Sequence, residues 1–477
     1  MHSDITRNYS SIIKDLLNYL PSRGLIILNF IVLIPLFTQI LDKKQMSIYL
    51  IAIQILNLIL TCSFDWISKS VLRFYEKYKI HDKLDEFLSS VFWLFIIVYL
   101  IIIVSYFIFK DILLQKFSIS NTVFLYVILL LVPCGVRQFL YQILRLKNHY
   151  KLYTFSIAMY QVSFILLFFG LFNIFPNANA ILIAMNIAIT LIDFILYRII
   201  SIDLKLKYYI DFSILGEILK YALPLVVTNA CYWGIFHISK LIFQNMGQFD
   251  NTAIFGVGLT ASEYFVTPLL TLFIFVTFPF IIKRFETNDD LKPYFTNIVQ
   301  LFYIILSPII AIFCLFPKEI TTLILPASYK DAYIVIPFTT MAVFIHEFLK
   351  FINLKYHMQN KTYIETIVGM IVIAGSFFIN IGFIKYFSLF GAAIAMAVTE
   401  IILLFANIAV KFKSFDYFSY RDFAKTFIKN TLLILVCFVI ASICFPFPNK
   451  IIYVLKIMLF LLIAYVLCYK LRKHILT

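Results

Sequence analysis

"FLSSVFWLFIIVYLIIIVSYFIF", Phe87 to Phe109, runs 23 residues without a charge. As a helix rising 1.5 Å per residue it is about 34 Å long, enough to cross a hydrocarbon core of ~30 Å. Membrane strands run to about ten residues and alternate in polarity, which this stretch does not. Cutting the chain at charged or turn-forming clusters gives fourteen such segments. They lie near 19–41, 49–72, 87–109, 121–144, 152–173, 179–201, 219–241, 251–282, 297–316, 332–356, 363–384, 389–410, 430–446 and 451–469. The expected fold class is therefore an all-α polytopic membrane protein with about 14 transmembrane helices.

Composition points the same way. Of 477 residues, 62% are hydrophobic and 14% charged, with a mean hydropathy of +0.94. A soluble domain carries about 25% charged residues. Residues 1–18 are polar, so no cleavable signal peptide is expected and the first span should persist. The seven cysteines fall within apolar spans without metal-ligand spacing and are expected to be buried structural thiols, with Cys437 and Cys444 sharing a helical face. The net charge of +15 fits lysine retention in cytoplasmic loops or an anionic ligand. Nucleic-acid binding would require a basic soluble domain, and the sequence has none. It also lacks a phosphate-binding Gly-rich loop, a zinc-ligand pair and a nucleophile elbow, so catalysis is not expected.

Lysine and arginine set the orientation. With a cytoplasmic N-terminus, 26 of the 40 fall in inner segments and 8 in outer loops, the others lying within or beside spans. Both termini are then cytoplasmic. No outer loop is long enough to fold separately, which disfavours a membrane polymerase or ligase that would carry its chemistry there.

The chain also matches itself at an offset of roughly 205–210 residues. Leu20-Pro21 corresponds to Leu223-Pro224, Pro133 to Pro337, and Lys151-Leu152-Tyr153 to Lys361-Thr362-Tyr363. "AILIAMNIAITLIDF" from Ala180 corresponds to "AAIAMAVTEIILLF" from Ala392. An offset of six helices preserves orientation, giving parallel repeats of the kind that open a central cavity alternately to each side. The expected organisation is a six-helix lobe at 1–210, a second at 211–415 and an appended helix pair at 416–477.

At "YALPLVVTNACYWGIFHISKLIFQNMGQFDNTAIFGVG" (Tyr221 to Gly258) the sequence resembles the seventh and eighth helices of polysaccharide-biosynthesis flippases of the Wzx (O-antigen) type. These belong to the multidrug/oligosaccharidyl-lipid/polysaccharide exporter superfamily, with lipid II flippases and multidrug extruders. "INIGFIKYFSLFGAAIAMAVTE" (Ile379 to Glu400) resembles the eleventh helix, short outer turn and twelfth helix. "LILPASYKDAYIVIPFTTM" (Leu323 to Met341) resembles the entry to the tenth. The resemblance covers nearly the whole chain in helix order and departs at Ser239-Lys240, where many members carry an acidic–basic pair. It implies translocation of an undecaprenyl-diphosphate-linked oligosaccharide from the cytoplasmic to the outer leaflet of a bacterial inner membrane, through a lumen between helices 1, 2, 7 and 8. A MATE-like fold, membrane lipid as surroundings, and a polysaccharide polymerase with chain-length machinery as partners follow from it. No cofactor or metal is expected beyond a coupling proton or sodium ion.

Ionisable groups at membrane depth cost at least about 2.5–3.5 kcal/mol each and so require a reason. Asp65, Lys69 and Arg73 are four apart on one face of the second span. Arg23 sits just inside the first span, Arg137 midway along the fourth, His237 and Lys240 a turn apart on the seventh, and Glu263 deep in the eighth. Lys350 neighbours His346 and Glu347 on the tenth. These nine form the candidate substrate-binding set: Arg23, Asp65, Lys69, Arg73, Arg137, His237, Lys240, Glu263 and Lys350. Asp193 and Glu400 are expected to make structural pairs. A cationic lumen fits a diphosphate head better than the organic cations of a multidrug extruder, and the first span carries no acid between Tyr19 and Leu41. A lipid II flippase shares the diphosphate handle and stays as the alternative.

Overall fold

Fourteen apolar segments recur as helices in the computed structural model. It describes residues 20–476 apart from 29–30, 118–119, 148, 201–209, 287–290, 359–360, 411–417 and 446. Within helices it leaves undescribed the side chains at 69, 72–73, 76, 109, 111–117, 221, 272–276, 278–280, 282–286, 291, 357 and 468–476. The helices are α1 (Leu20–Ile40), α2 (Lys43–Leu60), α3 (Trp66–Ile80), α4 (Leu84–Phe117), α5 (Asn121–Leu146), α6 (Tyr150–Phe172), α7 (Ala178–Ile200) and α8 (Phe212–Asn245). They continue with α9 (Phe249–Glu286), α10 (Leu291–Leu315), the short α11 (Pro317–Ile324), α12 (Ala332–Met358), α13 (Thr362–Ala409), α14 (Tyr420–Cys444) and α15 (Lys450–Leu476). Among the described residues there is no strand.

Thirteen of these helices are long and apolar enough to cross a membrane, α13 being counted once. A straight helix of 48 residues would reach about 72 Å, more than twice the hydrocarbon core. It breaks at Ser388, whose φ of 48° and ψ of −126° are non-helical. The chain then folds back: Thr399 Oγ1 donates to Ser376 Oγ at 3.2 Å, a pairing centred on the break. Gly391 lies so close to Phe383 that a Cβ would stand 2.0 Å from the Phe383 carbonyl oxygen. The two halves are the separate spans expected at 363–384 and 389–410.

Local sequence explains most helix ends. Asp42, Ser120, Asp211 and Ser419 each accept from a backbone N–H of the first turn of α2, α5, α8 and α14, satisfying donors that a helix start leaves open. Pro133 and Pro337, which correspond in the repeat, both lie inside helices, as does Pro224. A π-helical turn, Thr61–Asp65, joins α2 to α3, a widening the spacing of apolar residues does not announce. Here Phe64 packs against Gly135 of α5, where a Cβ would stand 3.3 Å from its ring, and stacks on Phe95 of α4.

The described chain forms two compact units. One comprises residues 40–253 with 369–374 and the other residues 254–368 and 375–477 with 1–39. In the first, α5 packs on α2, α6 and α7, while α8 packs on α2, α3 and α4. Sequence correspondence pairs α8 with α1, whereas packing groups it with the helices that precede it. In the second, α10 is central to α12, α14 and α15. Asn430 Nδ2 donates to Ser307 Oγ at 2.6 Å, and Tyr303 and Thr431 share a hydroxyl hydrogen bond of 2.7 Å, fixing α14 to α10.

One sequence expectation needs correction. Cys231 and Cys437 are buried and Cys62, Cys134 and Cys314 partly so, but Cys444 is exposed. It is the last residue of α14, where the helix has outrun its packing partners. Cys468 lies outside the described side chains.

Candidate functional site

On α8, Asn229, Trp233, His237, Lys240 and Gln244 recur every three to four residues and so share one face. That face meets α2 and the π-turn, running antiparallel to them. Asn229 Nδ2 lies 3.4 Å from Asp65 Oδ2, and Trp233 Nε1 donates to the Gln54 carbonyl at 3.1 Å. At the same end as Gln244, Lys43 of α2 pairs with Asp250 of α9 at 3.0 Å. The result is a polar seam inside the first unit.

The seam is dry. Lys240 is fully buried at 0% exposure, Gln244 at 2%, Gln54 at 5% and His237 at 6%. The His237 ring stands edge-on to Trp233 at 5.1 Å. Among the described residues, His237 Nδ1, Gln54 Oε1 and both side-chain polar atoms of Gln244 have no hydrogen-bond partner. Buried polar atoms are normally satisfied, which sets this cluster apart from the apolar packing around it. The opposite face of α8 is conventional: a Cβ on Gly234 would stand 2.9 Å from Ile373, and one on Gly369 3.5 Å from Cys231.

Of the nine sequence candidates, Asp65, His237 and Lys240 lie on this seam. The backbones of Lys69 and Arg73 continue along α3, but their side chains lie outside the described residues. Arg137 goes elsewhere. Its Nε donates to Asp193 Oδ1 of α7 at 3.0 Å, its Nη2 to the Ile189 carbonyl at 3.3 Å, and its guanidinium lies 4.4 Å from the Tyr160 ring centroid. With side chains only 13% and 5% exposed, this is an internal ion pair tying α5 to α7.

The other candidates belong to the second unit. Lys350 donates to Glu347 at 2.6 Å, whereas His346 turns away to Glu400 at 3.2 Å. The expected structural pairing of Asp193 and Glu400 is thus what the geometry shows. Glu263 is half-buried on α9, beside Tyr264. Arg23 is half-buried on α1, and its Nε has no hydrogen-bond partner among the described residues. Among the described residues no group of three or more His, Cys, Asp or Glu side chains could hold a metal.

Charge alone misses Gln54, Asn229, Trp233 and Gln244. The signal was the period: polar residues at helical spacing along the apolar span of α8 define a face, whether or not each is ionised.

The fold has solved counterparts. The chain is similar to the lipid II flippase MurJ in an inward closed conformation, at 16% identity and a TM-score of 0.69 over 98% of this chain and 100% of that one. It is also similar to a point mutant of the Vibrio cholerae MATE transporter VcmN, at 15% identity and a TM-score of 0.51 over 84% of this chain and 97% of that one. A MATE structure in complex with MaD3S gives 11% and 0.55 over 84% and 95%. No family profile matches the chain, and no curated protein sequence does. The class defined is an all-α, multi-pass membrane protein. Its particular fold is the one shared by MurJ and the MATE transporters.

Proposed function

We propose that this protein is a flippase that carries an anionic, polyprenyl-diphosphate-linked oligosaccharide from the cytoplasmic to the outer leaflet by alternating access. The observation that carries the reading is Lys240, an ammonium completely enclosed beside His237 in the seam between α2 and α8. A cation about 4 Å from a phosphate contributes on the order of 4 kcal/mol at an effective dielectric near 20. That offsets part of the cost of drawing a diphosphate away from the headgroups. In the state described here the seam is closed, so the head reaches Lys240 only when α8 moves. Asp65 of the π-turn, with Lys69 and Arg73 of α3, would continue the polar path, with Arg23 and Glu263 contributed by α1 and α9. Arg137 and Lys350 have carboxylate partners, and we assign them no contact with substrate.

The wider setting follows from this reading. The lobes 1–210 and 211–415 would be the moving bodies and 416–477 an appended pair, in a bacterial inner membrane with both termini cytoplasmic. A proton or sodium ion exchanging at Asp65 or Glu263 would drive the cycle, and a polysaccharide polymerase with its chain-length partner would take the product. Lipid II is the second substrate reading, favoured by the full-length similarity to MurJ as against 84% for the MATE structures. Drug extrusion is less well supported, because the seam places an ammonium where an organic cation would have to sit.

The test is export in native host cells lacking the gene and supplied with variants at matched expression. Lys240→Gln should abolish surface glycan display and accumulate the lipid-linked intermediate. Normal display with this variant would remove the seam from the function.

A further inference from the structure

A cavity of about 610 Å³ opens at one end of the second unit, where the spans of α10 and α12 begin and end. Its apolar wall includes Leu315, Ile334, Pro337, Phe338 and Phe390, the last two meeting edge-to-face at 5.4 Å. Phe390 follows the Ser388 break in α13, so the wall is completed by the turn itself. Two charged groups of α11 line the same cavity, and they are not equivalent. Glu319 is neutralised by Lys456 of α15 at 2.9 Å, with both side chains mostly buried. Lys318 is exposed, lies 5.0 Å from the Tyr333 ring centroid, and has no acidic partner among the described residues.

The cavity therefore couples one uncompensated cation at its mouth to an aromatic and aliphatic floor. Its position at the ends of membrane spans places it at headgroup depth, where interfacial tyrosines such as Tyr333 concentrate. A free anion would use the mouth and leave the floor wet. A neutral lipid would use the floor and leave the ammonium unanswered. A phosphate-bearing amphiphile satisfies both, and the volume is within the range of sites that enclose a small ligand. We propose that this cavity is a binding site for an anionic glycerophospholipid, its phosphate on Lys318 and the start of its acyl chains against Phe338 and Phe390. The site is separate from the α2–α8 seam and stands whatever the chain transports.

The experiment is thermal unfolding of the purified, delipidated full chain in an uncharged detergent, titrated separately with dioleoylphosphatidylglycerol, dioleoylglycerol and inorganic phosphate. Phosphatidylglycerol should raise the unfolding midpoint saturably, while the other two leave it in place. Lys318→Gln should raise the half-saturating concentration about fivefold, the weight of one basic residue at a membrane surface, without moving the lipid-free midpoint. Lys318→Arg should keep the wild-type response. So should Lys330→Gln, which removes an exposed lysine outside the cavity. A response unchanged in Lys318→Gln, or weakened equally in Lys330→Gln, would overturn the site as unselective lipid coating. Stabilisation by phosphate alone or by dioleoylglycerol alone would overturn it as a free-anion site or a purely apolar one.

Discussion

Lys240 sits where a lysine is least welcome, with its whole side chain out of contact with solvent on a membrane helix. Its long stem could have reached an interface, yet it is held beside His237 and faces α2. If the ammonium were only a packing element, Lys240→Met would be tolerated or stabilising, as for other buried charges replaced by apolar groups. The transport reading separates the two properties: Lys240→Met should leave the unfolding midpoint equal or higher and lower export at least tenfold, with partial recovery in Lys240→Arg. Arg137 and Asp193 should behave in the opposite way. Removing one partner leaves a buried charge alone, so Arg137→Met or Asp193→Leu should each destabilise by about 3 kcal/mol, and the double variant should regain most of it. Thermal unfolding of the four proteins checks this. Depth in the span marked Asp193 for a structural pair, but it placed Arg137 in the substrate-binding set rather than in that pair. That they needed each other depends on the packing of α5 against α7, which one sequence does not contain. The neutral members of the seam were hidden for a different reason, since a glutamine or asparagine costs less at membrane depth than a charge and drew less notice.

At the level of the element, the sharpest demand lies in the turn of α13. Ser388 holds a φ of 48°, a conformation that costs a non-glycine residue on the order of 1 kcal/mol or more. Ser388→Gly should raise the unfolding midpoint slightly. Gly391→Val should instead block the hairpin, because even a Cβ collides with the Phe383 carbonyl, and should appear as loss of folded protein in the membrane. A different constraint holds the other end of the first unit. Lys77 of α3 donates to Glu217 of α8, as does the Tyr78 hydroxyl at 2.8 Å. The Lys77 hydrogen bond holds the Glu217 carboxyl below the usual range, while burial and then the Glu217 hydrogen bond push the Tyr78 hydroxyl up. A depressed carboxylate stabilises above its unfolded pKa of about 4.3 and loses that contribution as pH falls through the lower folded value. Both ion-pair partners are over a third exposed, so the effect is at most about 1 kcal/mol. Amide exchange in the last turn of α3 should accelerate as pH falls below about 4 after correction for intrinsic rates, and Glu217→Gln should remove that pH dependence. Span positions were legible because apolar runs and charged clusters mark them directly. The polar extensions of α3 and α8 beyond their spans, and the π-turn before α3, were not. They are fixed by contacts between helices rather than by hydropathy.

Across the whole molecule, hydropathy determined the class and the number of crossings, since few alternatives satisfy backbone hydrogen bonds inside a bilayer. The sequence correspondence at an offset of roughly 205–210 residues does not say which helices pack together: α8 joins the unit of α2–α7. Substrate is a further step away. A fold shared with MurJ and MATE transporters at 11–16% identity accommodates both lipid-linked and drug-like cargo in those proteins' names, so the choice rests on the chemistry of the seam. The direct measurement uses the purified chain in vesicles carrying a labelled polyprenyl-diphosphate-linked oligosaccharide in one leaflet. Its arrival in the other is followed with a membrane-impermeant reagent under an imposed proton or sodium gradient. The account predicts transfer well above that of empty vesicles, lost in Lys240→Gln and slowed in Asp65→Asn. Transfer no faster than in empty vesicles, together with gradient-driven movement of an organic cation such as ethidium by the same preparation, would contradict it.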